Sequence, residues 1–315
     1  MKNTFTHIGL AKLCGWFGIT RQAYYNHSWK AFEVVNQHHI IVDRVKEIRE
    51  NHPRLGTRKL FEVLQPFFKE HQIKMGRDAL FNVLYISHLL VRKRKRKIST
   101  TNSYHRFRKY PNLIKEFIPT AINQLWVSDI TYWKLGEKHV YISFITDTYS
   151  HKIVGDYVAK TLETIESIQA LKMALDGLEI EPTNLIHHSD RGIQYCSNSY
   201  VKLLQDYNVK ISMTENGDPL ENAIAERING IIKEEYLRNY QVNNLKEAKE
   251  LLKAVVDLYN NERPHMSISN LTPNQVHQST EKLKLNKLWK NYYKKNSNIV
   301  KQEQDVNQTV NLLQD

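Results

Sequence analysis

The middle of the chain alternates apolar and polar positions in a way that is typical of β-strands. The alternation runs through three successive segments that are separated by short polar turns: QLWVSDITYWK, HVYISFITDTY and KIVGDYVA. Because short turns join antiparallel neighbours, these segments predict a three-stranded antiparallel meander. Helical spacing and single strands then alternate, with Gly177 ending the first helix, in the order TLETIESIQALKMALDGL, TNLIHHSD, SNSYVKLLQDYN and VKISMTE.

The helix that follows has a polar face that carries an acid. In ENAIAERINGIIKEEY, residues 221–236, a rotation of about 100° per residue places Glu226 opposite four isoleucines: Ile224, Ile228, Ile231 and Ile232. The polar face also carries Asn222, Asn229, Gly230 and Lys233. A single glutamate on an amphipathic helix usually faces solvent, so this helix alone leaves the role of Glu226 open. The complete element order predicts an α/β domain of ribonuclease-H-like fold with a mixed five-stranded sheet.

Helical spacing dominates the first 91 residues. Residues 1–35 predict a helix-turn-helix-like segment, in which HIGLAKLCGWF and RQAYYNHSW are separated by a turn at Gly18, with Thr20 as N-cap of the second helix. Residues 36–91 predict a second helical segment, formed by IIVDRVKEIRENH, TRKLFEVLQPFFKEH and RDALFNVLYISHLL. Any small helical bundle would show the same pattern, so the α/β core is preceded by small all-α segments whose role needs other observations.

The charge of the chain indicates what these helices bind. There are 45 Lys and Arg residues against 33 Asp and Glu residues, a formal charge of +12, which favours nucleic acid as a partner, with a membrane surface as the alternative. Arg21 and Gln22 begin the second predicted helix, where base-reading residues are found in helix-turn-helix proteins. Residues 92–120 predict a basic linker that binds phosphate, although such runs are often merely solvated. Its six consecutive cations are Arg92, Lys93, Arg94, Lys95, Arg96 and Lys97.

Composition and hydropathy exclude several other classes of protein. No stretch approaches the roughly 18 apolar residues of a membrane span, and IGLAKLCGWFGIT lacks a signal cleavage site, so a cytoplasmic protein is expected. The two cysteines, Cys14 and Cys196, are too few and too far apart for a disulfide framework or a cysteine zinc site. Residues 121–280 form the predicted core, and the polar residues 281–315 predict a disordered tail.

Three acids occupy the positions at which a shared site would form in this fold. Asp129 lies in the first strand, Asp190 directly follows the fourth strand, and Glu226 lies on the final helix. Three neighbouring carboxylates repel one another unless a cation lies among them, and hard oxygen ligands with room for water select Mg²⁺ or Mn²⁺. These acids are therefore the predicted catalytic and metal-binding residues.

Other polar residues of the core have weaker claims. Asp147 and Asp156 lie outside this spacing and are expected to be structural. His187 and His188 lack a third soft ligand nearby, so His188 is expected to shape the site around Asp190 or to bind DNA. Three further residues are open between contacting DNA and being plain surface residues: Asn222, Asn229 and Tyr195.

Longer stretches of the chain carry a resemblance to a known family. They are QLWVSDITYW, HHSDRGIQYCSNSYVKLLQDYNVKISMTENGDPLENAIAERINGIIKEEY, YNNERPHMSISNLTPNQV and, upstream of the basic run, RLGTRKL. These stretches resemble the DNA-binding segment and integrase core of bacterial insertion-sequence transposases, of the insertion-sequence-three family, which is related to retroviral integrases. The chain departs from the usual pattern at Leu55, Leu220 and Glu221, none of which is one of the three acids.

The resemblance implies a function and a set of partners. It implies a DDE transposase that cleaves DNA at the ends of an insertion sequence and joins the 3′-hydroxyl to DNA, with Asp129, Asp190 and Glu226 holding Mg²⁺ or Mn²⁺. It implies Lys233 as a DNA contact. The implied partners are the terminal repeats, target DNA, further copies of the chain on DNA and a protein from an upstream reading frame, all in the bacterial cytoplasm at the nucleoid, with no membrane.

Two other functions use the same features. A DNA-binding regulator of transposition would keep the fold without catalysis, and the three intact acids argue against it. A junction-resolving or RNA-cleaving nuclease would share the metal chemistry, but it would not need two helical DNA-reading segments.

Overall fold

The computed structural model describes residues 8–91, 106–135, 138–179, 182–215 and 221–279, together with 283 and 285. The chain divides into two compact units, Met1–Asn51 with Leu55–Arg92 and His52–Arg54 with Lys93–Asp315. The six consecutive cations at 92–97 and nearly all of the predicted tail at 281–315 lie outside the described residues. The predictions for both segments therefore stay predictions.

The first unit is helical throughout its described part. Its helices are α1 Leu10–Trp16, α2 Arg21–Asn51, α3 Thr57–Val63, α4 Gln65–Glu70 and α5 Arg77–Ile86. The carboxyl half of α2 and the last three helices share one apolar core, because their buried aliphatic residues face one another. Its fully buried members include Ile41, Val45, Leu60, Leu64, Leu80 and Leu84.

The beginning of α2 agrees with the sequence, but its length does not. Gly18 has a φ of +66°, and the Thr20 hydroxyl accepts a hydrogen bond of 3.0 Å from the main-chain N–H of Ala23, which confirms the turn and the N-cap. The predicted separation of RQAYYNHSW from IIVDRVKEIRENH is wrong, because one helix spans both. The intervening KAFEVVNQHH contains no Gly or Pro to end it. The predicted boundary between residues 35 and 36 thus falls inside a helix.

The second unit is built on a five-stranded sheet. Its strands are β1 Leu125–Leu135, β2 Lys138–Asp147, β3 Ile153–Ala159, β4 Ile186–Ser189 and β5 Lys210–Met213. Its α-helices are α6 Thr164–Asp176, α7 Ile193–Cys196, α8 Asn198–Asp206, α9 Ala223–Ile231, α10 Leu245–Glu262 and α11 Pro273–His277. A π-helical turn, Ile232–Tyr236, continues α9, and short 3₁₀ turns occupy Leu237–Asn239 and Met266–Ile268.

The sheet has the predicted mixed topology. The strand order is β3-β2-β1-β4-β5, with antiparallel pairs within the β1–β2–β3 meander and parallel pairs from β1 to β4 and from β4 to β5. Gly177 caps the end of α6, as predicted. The order of strands and helices is that of a ribonuclease-H-like fold, so the fold prediction is confirmed.

Each face of the sheet is covered by helices. Adjacent residues of β2 point to opposite faces, so Phe144 joins the core under α9 and α10, while Ile145 joins the core under α6 and α8. Gly155 on β3 allows α6 to approach closely, because a Cβ at this position would overlap the carbonyl oxygen of Ala170. The sheet is therefore held rigidly between two helical layers, with β1 at its centre.

Acid is expected to destabilise this unit because several of its histidines are held neutral. Burial lowers the pKa of His151 to about 4, that of His187 to about 3 and that of His277 to about 4, from an ordinary value of 6.5. Between pH 6.5 and about 4 these histidines bind protons in the unfolded chain but not in the folded chain. Asp129 and Asp156, whose pKa values are raised to about 8 and about 6, act in the opposite sense, but the buried histidines outnumber them, so the free energy of unfolding should fall as the pH drops through this range.

Urea denaturation at pH 7.5, 6 and 5 tests this expectation. His277→Gln should make the pH dependence less steep, whereas His139→Gln, at an exposed position, should leave it as it is. An unfolding free energy that stays constant down to pH 5 would contradict the prediction.

Candidate active site

The register of the central strands brings two of the predicted acids together. β1 and β4 run parallel, and their last matched pair is Ser128 opposite Ser189. Asp129, the next residue of β1, and Asp190, the first residue after β4, therefore lie side by side where the paired part of the two strands ends. Side chains just beyond the carboxyl end of a parallel strand, such as that of Asp190, commonly form ligand sites.

The turn after β4 holds the Asp190 carboxylate in place. The main-chain N–H of Gly192 donates a hydrogen bond of 2.9 Å to Oδ1 of Asp190. A Cβ at Gly192 would lie 2.9 Å from that same oxygen and 3.2 Å from Oε1 of Gln194. The Asp190 carboxylate can take its position because residue 192 has no side chain.

Gly192→Ala is expected to slow the reaction by displacing the Asp190 carboxylate. A small misplacement of a metal-binding carboxylate should lower the rate about 10-fold to 100-fold. The measurement is the rate of strand joining, with the melting temperature as a check on folding. Gly177→Ala is the matched control, because a Cβ there would make only ordinary contacts at 3.5 Å. Equal rates for the two variants would refute this role of Gly192.

Helix α9 presents Glu226 as the sequence predicts. Ile228 and Ile232 are buried under the sheet, and Ile224 and Ile231 pack partly buried against the same core. Glu226 is exposed on the other side of the helix. The amphipathic pattern of this helix is therefore confirmed, and the apolar face fixes the direction of the acid.

Asp190 and Glu226 lie close enough to Asp129 for their charges to influence its ionisation. The Asp129 side chain is only partly exposed, and the pKa of its carboxyl group is raised to about 8, chiefly by burial. The negative charges of Asp190 and Glu226 contribute to this rise, whereas hydrogen bonds from Ile130 and Asn229 oppose it. Asp129 is thus difficult to ionise beside the other two acids without a nearby cation.

The donor chemistry of this site fits a divalent cation, although the three acids do not yet form a complete metal site. In the part of the chain that the structure describes, no three His, Cys, Asp or Glu side chains are grouped closely enough to hold a metal ion. Both oxygens of Asp129 instead accept hydrogen bonds, from Ile130 N–H at 2.9 Å and from Asn229 Nδ2 at 2.7 Å. A hard cation would relieve the repulsion among the three carboxylates.

Lys233 lies beside the acids on the π-helical turn. Its ammonium nitrogen is 4.0 Å from the centre of the Tyr132 ring. Burial lowers the pKa of Lys233, while the charges of Glu234 and Asp129 oppose this shift. π-Helical turns are often found at functional sites. A cation near Asp129 is suited to binding a DNA phosphate, and the DNA contact of Lys233 stays a prediction.

Three residues that the sequence left open are not plain surface residues. Asn222, Asn229 and Tyr195 are all buried. The Tyr195 hydroxyl accepts a hydrogen bond of 2.9 Å from the Ser128 hydroxyl, and both asparagines donate hydrogen bonds to β1. A helical projection puts the asparagines beside Glu226, but it cannot show that a distant strand covers them.

The remaining polar candidates have structural roles. His188 is fully buried, with Nδ1 2.8 Å from the Ser212 hydroxyl on β5, which favours shaping the site over contacting DNA. Asp147 accepts hydrogen bonds from Ser150 and Asn123 in a buried turn. Asp156 lies on β3, which is separated from β4 by two strands.

Arg21 and Gln22 lie at the start of α2 in the first unit. Both are exposed in the first turn of α2, and Gln22 Nε2 donates a hydrogen bond of 3.0 Å to Asn26 Oδ1. Exposure leaves both side chains available to a partner, and their predicted role in reading DNA stays a prediction.

Comparisons with known proteins identify the family. The integrase core domain family matches residues 119–219 and, through a second description of the same domain, residues 207–273. An uncharacterised 31 kDa protein of insertion element IS600 from Shigella sonnei is 34% identical, covering 83% of this chain and 96% of that protein. The transposase for insertion sequence element IS629 from Shigella sonnei is 32% identical, covering 68% of this chain and 70% of that protein. The chain belongs to the insertion-sequence transposases with an integrase core domain.

Family membership confirms the predicted class of function. The chain is a polynucleotidyl transferase of the DDE transposase and integrase class that acts in DNA transposition, and its family depends on divalent metal. Among solved structures, the catalytic core domain of HTLV-2 integrase in complex with magnesium has a TM-score of 0.39 and 24% identity, covering 50% of this chain and 98% of that chain. No helix among the described residues is long and apolar enough to cross a membrane.

Proposed function

We propose that Asp129, Asp190 and Glu226 hold Mg²⁺ or Mn²⁺ and that the chain uses this site at the terminal repeats of its own insertion sequence. The observation that carries the proposal is the parallel register of β1 and β4, which sets Asp129 beside Asp190. The electrostatic effect of Glu226 on Asp129 supports the inclusion of the third acid. Divalent ions at such a site activate water or a DNA 3′-hydroxyl and stabilise the leaving 3′-oxygen.

The side chains and main chain of the protein have separate tasks in this reaction. Gly192 N–H holds the Asp190 carboxylate, and the apolar face of α9 fixes Glu226 above the sheet. Lys233 binds a DNA phosphate near the scissile bond, because its ammonium group lies close to Asp129. Water attacks first to free the 3′-hydroxyl, and the 3′-hydroxyl then attacks target DNA by in-line displacement without a covalent protein intermediate.

Recognition of the terminal repeats is assigned to other residues. Contacts to metal and phosphate position DNA, but they do not read its sequence. Arg21 and Gln22 are exposed where a recognition helix would present base-reading side chains. The six cations at 92–97 supply contacts to DNA phosphates.

More than one copy of the chain is expected on the DNA. Transposition requires two ends to be held together, so a homo-oligomer forms on the terminal repeats. A protein from an upstream reading frame is a further proposed partner, because it would raise the effective concentration of paired ends. The site of action is the nucleoid in the bacterial cytoplasm.

One assay separates this proposal from its alternatives. The purified chain is incubated with Mg²⁺ and a duplex that carries the terminal repeat of the element. Strand joining supports a transposase with this site, cleavage without joining indicates a nuclease of the same fold, and binding without either reaction indicates a regulator. The same assay with Mn²⁺ in place of Mg²⁺ shows which ion supports the reaction better.

Neutralising the basic run is expected to weaken binding to all DNA sequences equally. Replacing Arg92, Lys93, Arg94, Lys95, Arg96 and Lys97 with glutamine should reduce the dependence of log K on log salt by about 0.9 for each phosphate that the chain no longer neutralises. Affinities at several salt concentrations, on the terminal repeat and on unrelated DNA, measure this. Arg21→Ala and Gln22→Ala serve as the comparison, because they should change the preference between the two DNAs. An unchanged salt dependence after the six replacements would show that the run does not contact phosphate.

A further inference from the structure

Two buried amides flank Glu226 along helix α9 of the second unit. Asn222 directly precedes α9, and Asn229 lies one turn beyond Glu226. Only 6% of Asn222 and 5% of Asn229 is exposed, although Glu226 between them is exposed. All three residues project from the same side of the helix.

Both amides bind consecutive residues of the strand that carries Asp129. Asn222 Nδ2 donates a hydrogen bond of 3.0 Å to the main-chain carbonyl oxygen of Ser128. Asn229 Nδ2 donates one of 2.7 Å to Oδ2 of Asp129 itself. α9 is thus tied to β1 on both sides of Glu226, and the position of one acid is fixed relative to another.

Burial of these two amides lowers the stability of the fold, and packing alone does not require an amide at either position. The Oδ1 atoms of Asn222 and Asn229 are buried and have no hydrogen-bond partner among the described residues. An unpaired buried polar atom costs stability, and apolar side chains of similar size would fill the same space without it. The asparagines are explained if their two Nδ2 donors have a function that apolar side chains could not perform.

We infer that Asn222 and Asn229 are positioning residues that fix Glu226 and Asp129 relative to each other, and that neither reads DNA. Asn229 also orients the Asp129 carboxylate, because its hydrogen bond to one oxygen fixes the direction of the group before a cation binds. Aspartate at residue 229 could not replace it, because a carboxylate has no N–H to donate and would repel Asp129. This inference rests on the proposed function, in which the two acids are metal ligands.

Mn²⁺ binding to the full chain, measured by electron paramagnetic resonance, tests the inference without relying on activity. Asn229→Ala and the similarly sized Asn229→Leu should each weaken Mn²⁺ binding about 10-fold to 100-fold. Asn222→Ala should show the same effect with a smaller shift, since it acts on the main chain of β1 and not on the carboxylate. Affinity for the terminal repeat without metal should match that of the unchanged chain, and high Mn²⁺ should restore part of the joining rate.

Asn260→Ala is the matched control. Asn260 on α10 is also 6% exposed and also ties a helix to a strand, through two hydrogen bonds of 3.0 Å to Ile153 on β3. Its loss should lower the melting temperature without weakening Mn²⁺ binding. If Asn229→Ala folds poorly, Asn229→Leu still decides the question, because it keeps the volume of the side chain.

The outcomes separate the inference from the function on which it rests. Mn²⁺ binding by Asn229→Leu at the affinity of the unchanged chain would overturn the positioning role alone. If the Asn229 variants bind the terminal repeat more weakly in the absence of metal, the positioning role would also be overturned, because the asparagine would then be a DNA contact. An unchanged chain that binds no Mn²⁺ would overturn the metal assignment and, with it, the inference.

Discussion

Asp129→Asn, Asp190→Asn and Glu226→Gln are each expected to abolish both cleavage and strand joining. Each substitution keeps the size of the side chain and removes one negative charge, so the fold should be preserved while the proposed cation site is weakened. The expected loss is about 1,000-fold or more in rate, because the proposed site would supply the electrostatic stabilisation of the transition state. Binding to the terminal repeat should be nearly unchanged, since the residues proposed to read its sequence, Arg21 and Gln22, lie in the first unit.

Asp156→Asn is the matched control for these three variants. It makes the same chemical change on the same sheet, but on β3, which is separated from β4 by two strands. Cleavage, joining and Mn²⁺ binding should all stay near their original values in this variant. Strand joining that survives in any of the three active-site variants would show that the acid concerned is not part of the site.

The sequence predicts the sheet and the site because both depend on local patterns in a fixed order. The alternation in QLWVSDITYWK and its neighbours is a property of each strand, and short turns leave only one simple arrangement for the meander. Once the element order is known, the fold itself brings the middle of β1 beside the end of β4. Asp129 and Asp190 could therefore be paired before their register was known.

The prediction of two helices where α2 is a single helix followed from the loss of amphipathic spacing in the middle of α2, although no Gly or Pro ends the helix there. Along KAFEVVNQHH the apolar and polar positions lose helical spacing. The only buried residues of α2, Ile41 and Val45, both come after this stretch. A helix that packs little along its first half has no need of an amphipathic pattern there. The lack of Gly and Pro was the available signal, and it indicated a single helix.

The patterns of apolar and polar residues could not predict contacts between residues that are far apart in sequence. Asn229 and Asp129 are separated by four strands and several helices, and nothing in either segment specifies the hydrogen bond between them. A helical projection gives the direction of a side chain, but not the element that covers it. The same limit applies to Arg263, which lies in the quoted stretch YNNERPHMSISNLTPNQV without any sign of its partner.

The buried Arg263 forms an ion pair with the partly exposed Glu235, on the π-helical turn that carries Lys233. Only 1% of Arg263 is exposed, and its Nε and Nη2 atoms donate hydrogen bonds of 2.8 Å to the two carboxylate oxygens of Glu235. Its Nη1 donates a third hydrogen bond of 2.9 Å to Nε2 of His265. The segment after α10 thereby fixes the turn that follows α9.

Glu235→Gln is expected to destabilise the catalytic unit by about 3 to 5 kcal/mol, because it leaves the Arg263 guanidinium buried without a charge partner. The turn should also loosen and move Lys233 away from Asp129, so strand joining should fall even at temperatures where the protein stays folded. Urea denaturation gives the change in unfolding free energy, and the joining rate at low temperature gives the effect on the site.

Glu234→Gln provides the comparison, one residue earlier in the same turn. Glu234 forms an ion pair of 3.1 Å with Arg238, and both side chains are substantially exposed, at 49% and 29%. Solvent-exposed pairs of this kind contribute about 0.5 kcal/mol, so the variant should be nearly as stable as the original chain. Because the two substitutions are chemically identical, a similar loss of stability in both would show that burial of Arg263 does not govern the strength of the ion pair. A large loss in Glu235→Gln alone would establish that the segment after α10 holds the catalytic helix in place.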